Sequence, residues 1–292
     1  MKSLAPVIHI DEKKCVNCHA CVTACPVKFC NIGNEATLRV DHDTCIGCGA
    51  CVLACSHGAR QTLDDFPAFL NALEQGRRMV VIVAPSIVAN FPDTYRRIFG
   101  WLRSRGVAAL FDVGFGAELT IKSYVDYMET NNPPVLISQP CPVIVSFLQI
   151  HHPDLLEWLV PIGSPMQHIM QVIRTFYPEY ADAEIAAISP CVAKRREFDE
   201  IGLGDYVVTY QSLARYFRET KLDLSDFPES DFDSPPAERA TLFPTPGGLL
   251  KTAARDIDNI EERTRVIEGV GSVYQYLQKL PEMIQKGNQP PQ

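Results

Sequence analysis

Eight of the eleven cysteines fall into two identical frames, and this pattern constrains the fold more than any other feature of the chain. Each frame reads C-x2-C-x2-C-x3-C, and the second follows the first by 30 residues. The sequence around the frames repeats as well, with KKCVNCHACVTACP in the first copy and DTCIGCGACVLACS in the second. The N-terminal segment therefore contains an internal duplication.

The spacing within each frame indicates two 4Fe–4S clusters. A C-x2-C-x2-C loop surrounds one cube with three sulfurs, and the fourth cysteine, which we expect to begin a helix leading away from that cube, reaches the other cube. We therefore predict two ligand sets, one of Cys15, Cys18, Cys21 and Cys55 and the other of Cys45, Cys48, Cys51 and Cys25. Pro26 completes the usual C-P ending of the first frame, and Ser56 replaces it in the second.

Two other uses of the cysteines fit the pattern less well. Structural zinc sites usually take two C-x2-C pairs separated by a longer spacer, and disulfides need an oxidising compartment. Cys30 lies outside both frames, and we expect it to be a small buried apolar residue. Residues 8–60 resemble the two-cluster bacterial ferredoxins, a likeness that implies one-electron transfer between the two clusters.

Composition excludes several classes of protein. The chain has 292 residues, 46% of them apolar and 21% charged, which suits a globular protein of about two domains. Its net charge of −8 does not favour nucleic-acid binding. The most apolar stretch, Met79–Ala84, is far too short to span a membrane, and Met1–Ile10 lacks the apolar core of a signal peptide. We expect a cytoplasmic protein.

The sequence predicts a ferredoxin-like α+β domain at residues 1–62, a linking helix at 63–77 and an α/β domain at 78–292. In the last of these, short apolar runs alternate with amphipathic stretches, which favours a largely parallel sheet covered by helices. The predicted strands are Met79–Ala84, Val107–Phe111, Val135–Ser138, Ile185–Ser189 and Tyr206–Thr209. The predicted helices are Asp93–Arg105, Ala117–Thr130, Pro142–His151, Pro165–Phe176, Gln211–Glu219 and Ser272–Gln285. Residues 220–240, rich in Asp, Pro and Ser, are expected to form a surface excursion.

The last two cysteines, Cys141 and Cys191, occur in matching contexts, VLISQPCPVIV and AAISPCVAKRREF. Each follows a predicted strand, a serine and a proline, and each precedes a predicted helix. This places both thiols beyond the carboxyl ends of parallel strands and at helix N-termini, where ligands bind and where a thiolate is favoured. Two such thiols form half of a metal site, or they are two buried, unreactive cysteines.

Residues 78–255 resemble the catalytic domain of the iron-only (FeFe) hydrogenases. The motifs that carry the likeness are VIVAPS, FDVGFGAELT, QPCPV, SPCVAKRRE, DYVVTYQSLARYF and FPTPGGLL. SQPCP and FPTPGGLL are most similar to the sensory or regulatory branch of that family. The resemblance implies that Cys141 and Cys191 bind the 4Fe–4S half of the hydrogen-activating cluster. It also matches Lys194 to a lysine that hydrogen-bonds a cyanide ligand of the diiron half, and Glu197 to the glutamate of the motif. Alternatively, Lys194 and Glu197 form an exposed ion pair on one helix.

The chain departs from the family pattern at three places. Pro140 stands where catalytic members carry a proton-donating cysteine. Lys122, Ser123 and Tyr124 occupy positions at which those members carry glutamates. The third motif, which supplies two further cysteines, is missing, since no cysteine follows Cys191. We therefore expect a third cluster site that is incomplete in this chain and an α/β domain that is incomplete at its C-terminus.

Together these features predict an iron–sulfur protein for electron transfer and for redox or hydrogen sensing, inactive as a hydrogenase on its own. Its expected partners are a redox protein that donates or accepts electrons and a downstream signalling domain or partner chain, with no nucleic acid and no membrane. Two alternatives remain. The chain could be a hydrogenase whose active site is completed by a missing C-terminal segment or a partner chain, or a cluster-free docking domain fused to a ferredoxin.

Overall fold

The computed structural model describes residues 4–33, 38–138 and 140–287. In its N-terminal part, each half of the duplication contributes two strands and one short helix. These are β1 (Ile8–Ile10), α1 (Ala20–Ala24), β2 (Asn31–Gly33), β3 (Leu38–Val40), α2 (Ala50–Leu53) and β4 (Arg60–Thr62). β1 pairs antiparallel with β4, and β2 pairs antiparallel with β3. Each two-stranded sheet therefore takes one strand from each half, which interlocks the two copies.

The duplication extends to the backbone conformation. Left-handed residues recur 30 positions apart, as the pairs Asn17 and Gly47, His19 and Gly49, and Lys28 and Gly58. The second copy has glycine at all three positions, the residue that adopts a positive φ without steric cost. The two loops that carry the cysteine frames thus turn in the same way despite their different side chains.

The prediction that the fourth cysteine of each frame begins a helix is wrong. α1 ends at Ala24 with Cys25 as its C-cap, and α2 ends at Leu53, two residues before Cys55. Cys25 adopts an extended conformation and is followed by Pro26, and the left-handed Lys28 and Gly58 then turn the chain into β2 and β4. Each helix thus ends before the fourth cysteine, and Pro26 with Lys28 in the first frame and Gly58 in the second keep a new helix from starting after it.

The rest of the chain forms an α/β domain around four parallel strands in the order β6-β5-β7-β8. This confirms the predicted largely parallel sheet. The strands are β5 (Met79–Val83), β6 (Val107–Asp112), β7 (Glu184–Ser189) and β8 (Tyr206–Thr209). The helices are α3 (Phe66–Glu74), α4 (Ile87–Asn90), α5 (Tyr95–Ser104), α6 (Val113–Asn131), α7 (Pro142–His151), α8 (Pro165–Phe176), α9 (Lys194–Ile201), α10 (Tyr210–Thr220), α11 (Gly248–Ala253) and α12 (Val270–Gln285). Among the described residues, no helix is long and apolar enough to cross a membrane.

The predicted strand at Val135–Ser138 does not join the sheet. Ile137 forms only an isolated parallel bridge with Leu159. The apolar run is short and lies between Pro134 and Pro140, and proline cannot donate to a strand ladder, so the pairing cannot extend.

α6 begins at Val113, four residues before the predicted start at Ala117. The Asp112 carboxylate accepts a hydrogen bond from the Gly114 amide at 2.7 Å and caps this helix. The spacing of apolar residues does not reveal such a cap, so the predicted start is too late.

Both free edges of the parallel sheet are covered by side-chain oxygens. At the β8 edge, the amides of Val207 and Thr209 donate to the carboxylates of Asp65 and Asp64, each at 2.8 Å. At the β6 edge, the Leu110 amide donates to Asp233 at 2.7 Å. The predicted surface excursion is thus a strap along β6. Covered edges cannot pair with another chain.

The two parts of the protein share an apolar core. One cluster surrounds the sheet and includes Phe66, Phe69 and Leu73 of α3. A second cluster joins residues before position 50 to residues of the α/β domain, namely Val7, Ile8 and Ile46 with Phe147, Val192 and Tyr274. The N-terminal segment is therefore packed against the α/β domain through buried side chains.

Candidate iron–sulfur centres

The eight frame cysteines line two separate cavities. Four of them line the first, which we call the outer cavity: Cys15, Cys18, Cys21 and Cys55. The other four line the second, the inner cavity: Cys25, Cys45, Cys48 and Cys51. Each cavity combines three cysteines of one frame with the fourth cysteine of the other, the grouping that the spacing predicts. Four thiols around one compact space suit a 4Fe–4S cube.

Backbone amides donate hydrogen bonds to two thiols of the inner cavity, and burial raises the pKa of two others. The Lys28 amide donates to Cys25 Sγ at 3.3 Å, and the Gly47 amide donates to Cys45 Sγ at 3.4 Å. Burial raises the pKa of Cys48 to about 11 and that of Cys51 to about 12. Iron bound in this cavity would offset this cost, because a metal ion deprotonates a coordinating thiol.

Cys30 is buried, as expected, and it also lines the inner cavity. Its Sγ lies 3.5 Å from Cys25 Sγ. Interactions with Cys25 and Cys45, together with burial, hold the pKa of Cys30 far above its usual range. Cys30 therefore places a fifth thiol in the inner cavity, beside two of the predicted ligands.

The two halves of the duplication have different surroundings. Ile46, in the second frame, is 1% exposed, whereas its equivalent Val16 in the first frame is 61% exposed. A Cβ on Gly47 would lie 3.3 Å from the Cβ of Ala193 in the α/β domain. Cys18 of the outer cavity is also exposed. The inner cavity thus faces the α/β domain, and the outer cavity faces solvent.

Arg196, near the start of α9, holds the second cysteine loop against the α/β domain. Its guanidinium donates to the backbone oxygens of Cys45, His42 (3.1 Å) and Ala5 (3.3 Å). The side chain is 6% exposed, and burial lowers its pKa. Arg196 therefore links the inner cavity to the helix that follows Cys191.

Cys141 and Cys191 lie close to each other at the carboxyl end of the sheet. Cys191 follows β7, which pairs with β5 where the strand order reverses, and such a switch point is where α/β sheets place ligands. Cys141 is the N-cap of α7, although no sheet strand precedes it. Burial and the nearby Cys141 raise the pKa of Cys191 to about 11, while the amides of Ala193 and Lys194 oppose that shift.

Lys194 and Glu197 form a buried ion pair, not an exposed one. The Lys194 ammonium also donates to the Pro140 carbonyl at 3.3 Å and to Ser164 Oγ at 3.1 Å. Ser164 in turn donates to Glu197. Because an ammonium has three N–H groups, these three acceptors use all of them and tie α9 to the loop that carries Cys141.

Three residues important to these sites are missed when the sequence is interpreted by motif alone. Ser164 is the N-cap of α8 and carries no metal-ligand signal. Arg196 lies within SPCVAKRRE, but nothing in that motif indicates that it reaches the Cys45 loop. Arg60 lines both the outer and the inner cavity, and its signal is the replacement of Cys30 by arginine at the equivalent position of the second copy.

Comparison with known families fits this geometry. Residues 77–284 match the family described as iron-only hydrogenase large subunit, C-terminal domain. The chain belongs to this family. Residues 14–59 match the 4Fe–4S dicluster domain. It is thus an iron–sulfur, FeFe-hydrogenase-like protein with the fold that its motifs predict.

Individual relatives of this family agree. The chain is 29% identical over 299 residues to iron hydrogenase 1 of Clostridium pasteurianum, covering 88% of this chain and 52% of that protein. It is 26% identical over 281 residues to the periplasmic [Fe] hydrogenase large subunit of Nitratidesulfovibrio vulgaris, covering 85% and 67% of the two chains. Apo [FeFe]-hydrogenase HydA1 of Chlamydomonas reinhardtii, in a variant form, superposes with a TM-score of 0.55 at 22% identity, over 74% of this chain and 68% of that one. This chain spans about half the length of the clostridial relative.

Proposed function

We propose that this protein transfers electrons through two 4Fe–4S clusters, senses redox state or hydrogen, and does not by itself interconvert protons and hydrogen. Cys15, Cys18, Cys21 and Cys55 are the proposed ligands in the outer cavity, and Cys25, Cys45, Cys48 and Cys51 are those in the inner cavity. Bound there, the clusters would supply one-electron transfer.

The observation that carries the non-catalytic part of the proposal is the composition of the third site. It contains two thiols, Cys141 and Cys191, and the residue before Cys141 is Pro140. A 4Fe–4S cube needs four ligands, so these two thiols do not complete one with residues of this chain. Proline has no side-chain proton to donate, whereas general acid catalysis requires a positioned proton donor.

The contacts of Lys194 support the same conclusion. Its three N–H groups already reach Pro140, Ser164 and Glu197. To hydrogen-bond a ligand of a diiron unit, Lys194 would have to give up one of these buried contacts. In the arrangement described, the side chain braces the Cys141 loop.

The orientation of the cavities supports a direction for electron transfer. We propose that a redox protein exchanges electrons at the exposed outer cavity, because Val16 and Cys18 are accessible there. The inner cavity and the Cys141–Cys191 pair lie on the side of the α/β domain. A downstream signalling domain or partner chain would then respond to the state of that pair. We place the protein in the cytoplasm and divide it into a ferredoxin-like domain (1–62), a linking helix (63–77) and a hydrogenase-like α/β domain (78–292).

The test is to measure iron and acid-labile sulfide per chain after anaerobic purification. The comparison is with the double variant Cys141→Ser/Cys191→Ser, and Cys30→Ser serves as a matched loss of a thiol outside the proposed ligands. Two clusters alone correspond to about eight irons in all three proteins. About twelve irons in the wild type, falling to about eight only in the double variant, indicate a third cube with borrowed ligands.

Fewer than about eight irons in the wild type would overturn the two-cluster assignment. A hydrogen-evolution assay with a reduced viologen dye tests the other half of the proposal. We expect no hydrogen above background from the isolated chain. Sustained evolution would contradict the non-catalytic assignment and favour the hydrogenase alternative.

A further inference from the structure

Cys30 and Arg60 occupy equivalent positions in the duplication, each five residues after the fourth cysteine of its frame. Both side chains are buried, at 3% and 4% exposure. Cys30 carries a thiol beside the inner cavity, whereas Arg60 carries a cationic guanidinium. The internal symmetry is therefore broken at this pair of positions by one full positive charge.

The Arg60 side chain lies between the two cavities and lines both. Its Nη2 donates to Cys21 Sγ of the outer cavity at 3.2 Å and to Asn31 Oδ1 at 2.8 Å. The inner cavity that Arg60 lines also contains Cys51, a proposed ligand of the other set. Arg60 thus contacts a proposed ligand of one cluster and lines the cavity of the other.

The second terminal nitrogen of Arg60, Nη1, is buried and has no hydrogen-bond partner among the described residues. Burying an unpaired charged donor is costly, so such a group normally faces an acceptor. The ion pairs of the described residues also include no carboxylate that neutralises Arg60. The groups available to balance the charge of Arg60 are therefore the sulfurs of the two cavities, which would be anionic when they bind iron.

We propose that Arg60 is a positioning residue shared by the two clusters, whose positive charge raises the reduction potential of both. This inference rests on the two clusters of the proposed function. A cube with four thiolate ligands is anionic and gains one further negative charge when it accepts an electron. A fixed cation and hydrogen bonds to sulfur therefore stabilise the reduced form more than the oxidised form.

The experiment is an anaerobic redox titration of the full chain, followed by electron paramagnetic resonance, with an external reductant as the electron source. Arg60→Gln keeps a hydrogen-bonding side chain but removes the charge. We expect the equilibrium constant for reduction of each cluster to fall about tenfold, which is about 59 mV for a one-electron couple. Arg39→Gln is the matched control, because Arg39 is an exposed arginine of the same segment, and there we expect less than about a twofold change because solvent screens its charge.

Arg60→Lys separates charge from geometry, because lysine retains the charge but not the forked donor. We expect it to restore more than half of the change in potential caused by Arg60→Gln. If Arg60→Gln loses iron and cannot be titrated, Arg60→Lys replaces it as the test variant. We then expect the reduction potentials of Arg60→Lys to lie below those of the wild type. Unchanged potentials in an Arg60 variant that keeps all its iron would overturn the inference while leaving the proposed function intact. Iron below two cubes in the wild type would instead overturn the proposed function.

Discussion

Replacing Arg196 by methionine tests whether α9 holds the second cysteine loop in place. Methionine retains an apolar stem of similar length, but it removes all the donors that reach the carbonyls of Ala5, His42 and Cys45. A buried polar group left without its partner costs about 1–3 kcal/mol. The Cys45 carbonyl lies in the buried core, whereas Ala5 and His42 are partly exposed and water can replace part of what they lose. We therefore expect the free energy of unfolding to fall by about 3–5 kcal/mol.

The assay is anaerobic urea unfolding followed by two signals, the visible absorption of the clusters and tryptophan fluorescence. Trp101 lies in the core of the α/β domain, whereas Trp158 packs against the cluster shared with the N-terminal segment. Both proteins are therefore compared with Trp158→Phe in the background, so that fluorescence reports on the α/β core. With a urea dependence of about 2–3 kcal/mol per molar, the midpoint for loss of cluster absorption should fall by about 1–2.5 M. The midpoint of the fluorescence transition should fall less, because the hydrogen bonds removed join α9 to the N-terminal segment and do not lie within the core of the α/β domain.

Arg218→Met is the matched control, because Arg218 is exposed on α10, and it should change the free energy of unfolding by no more than about 0.5 kcal/mol. The reasoning would be refuted if Arg196→Met shifted the cluster midpoint no further than this control. It would also be refuted if both signals of Arg196→Met moved together by the same amount, since the arginine would then support the whole fold and not the interface.

Three further predictions follow from the α/β domain. Lys194→Met leaves the Glu197 carboxylate buried without its cation and should lower the free energy of unfolding by about 3–5 kcal/mol, while Lys194→Met/Glu197→Gln should recover much of the loss; equal losses in urea unfolding would contradict the buried pair. At an exposed position in a helix, replacing glycine by alanine adds about 1 kcal/mol of stability, but Gly100 of α5 is buried. Here the added methyl overlaps the Pro228 carbonyl oxygen of the strap, so the melting temperature should fall, and a rise would count against the strap. Burial raises the pKa of Asp112, so the folded state holds its proton more tightly and loses stability as pH rises through that pKa. Asp112→Asn, unfolded with urea across a pH series, should therefore gain stability relative to the wild type as pH rises above about 4, and a constant difference would refute this.

Much of the fold follows from local sequence signals. The bounds of α7 and α8 match their predictions because each has proline in its first turn and apolar residues at helical spacing. β5, β7 and β8 are continuous apolar runs, as expected for strands buried on both faces. Val135–Ser138 carries the same apolar signal but does not form a sheet strand, because sheet pairing depends on a partner as well as on local composition.

The sequence by itself determined the two cysteine frames, their duplication and the grouping of the eight cysteines around two cavities, because the spacing within a frame leaves its fourth cysteine too far along the chain to join the other three. Only the tertiary structure decided where those frames lie. It buries Ile46 against the α/β domain and leaves Val16 exposed. It turns Lys194 and Glu197 inward and places Arg60 between the two cavities. Burial and charge at these positions depend on what packs against them from distant parts of the chain, and a repeat in the sequence cannot specify which of its two copies will face the interior.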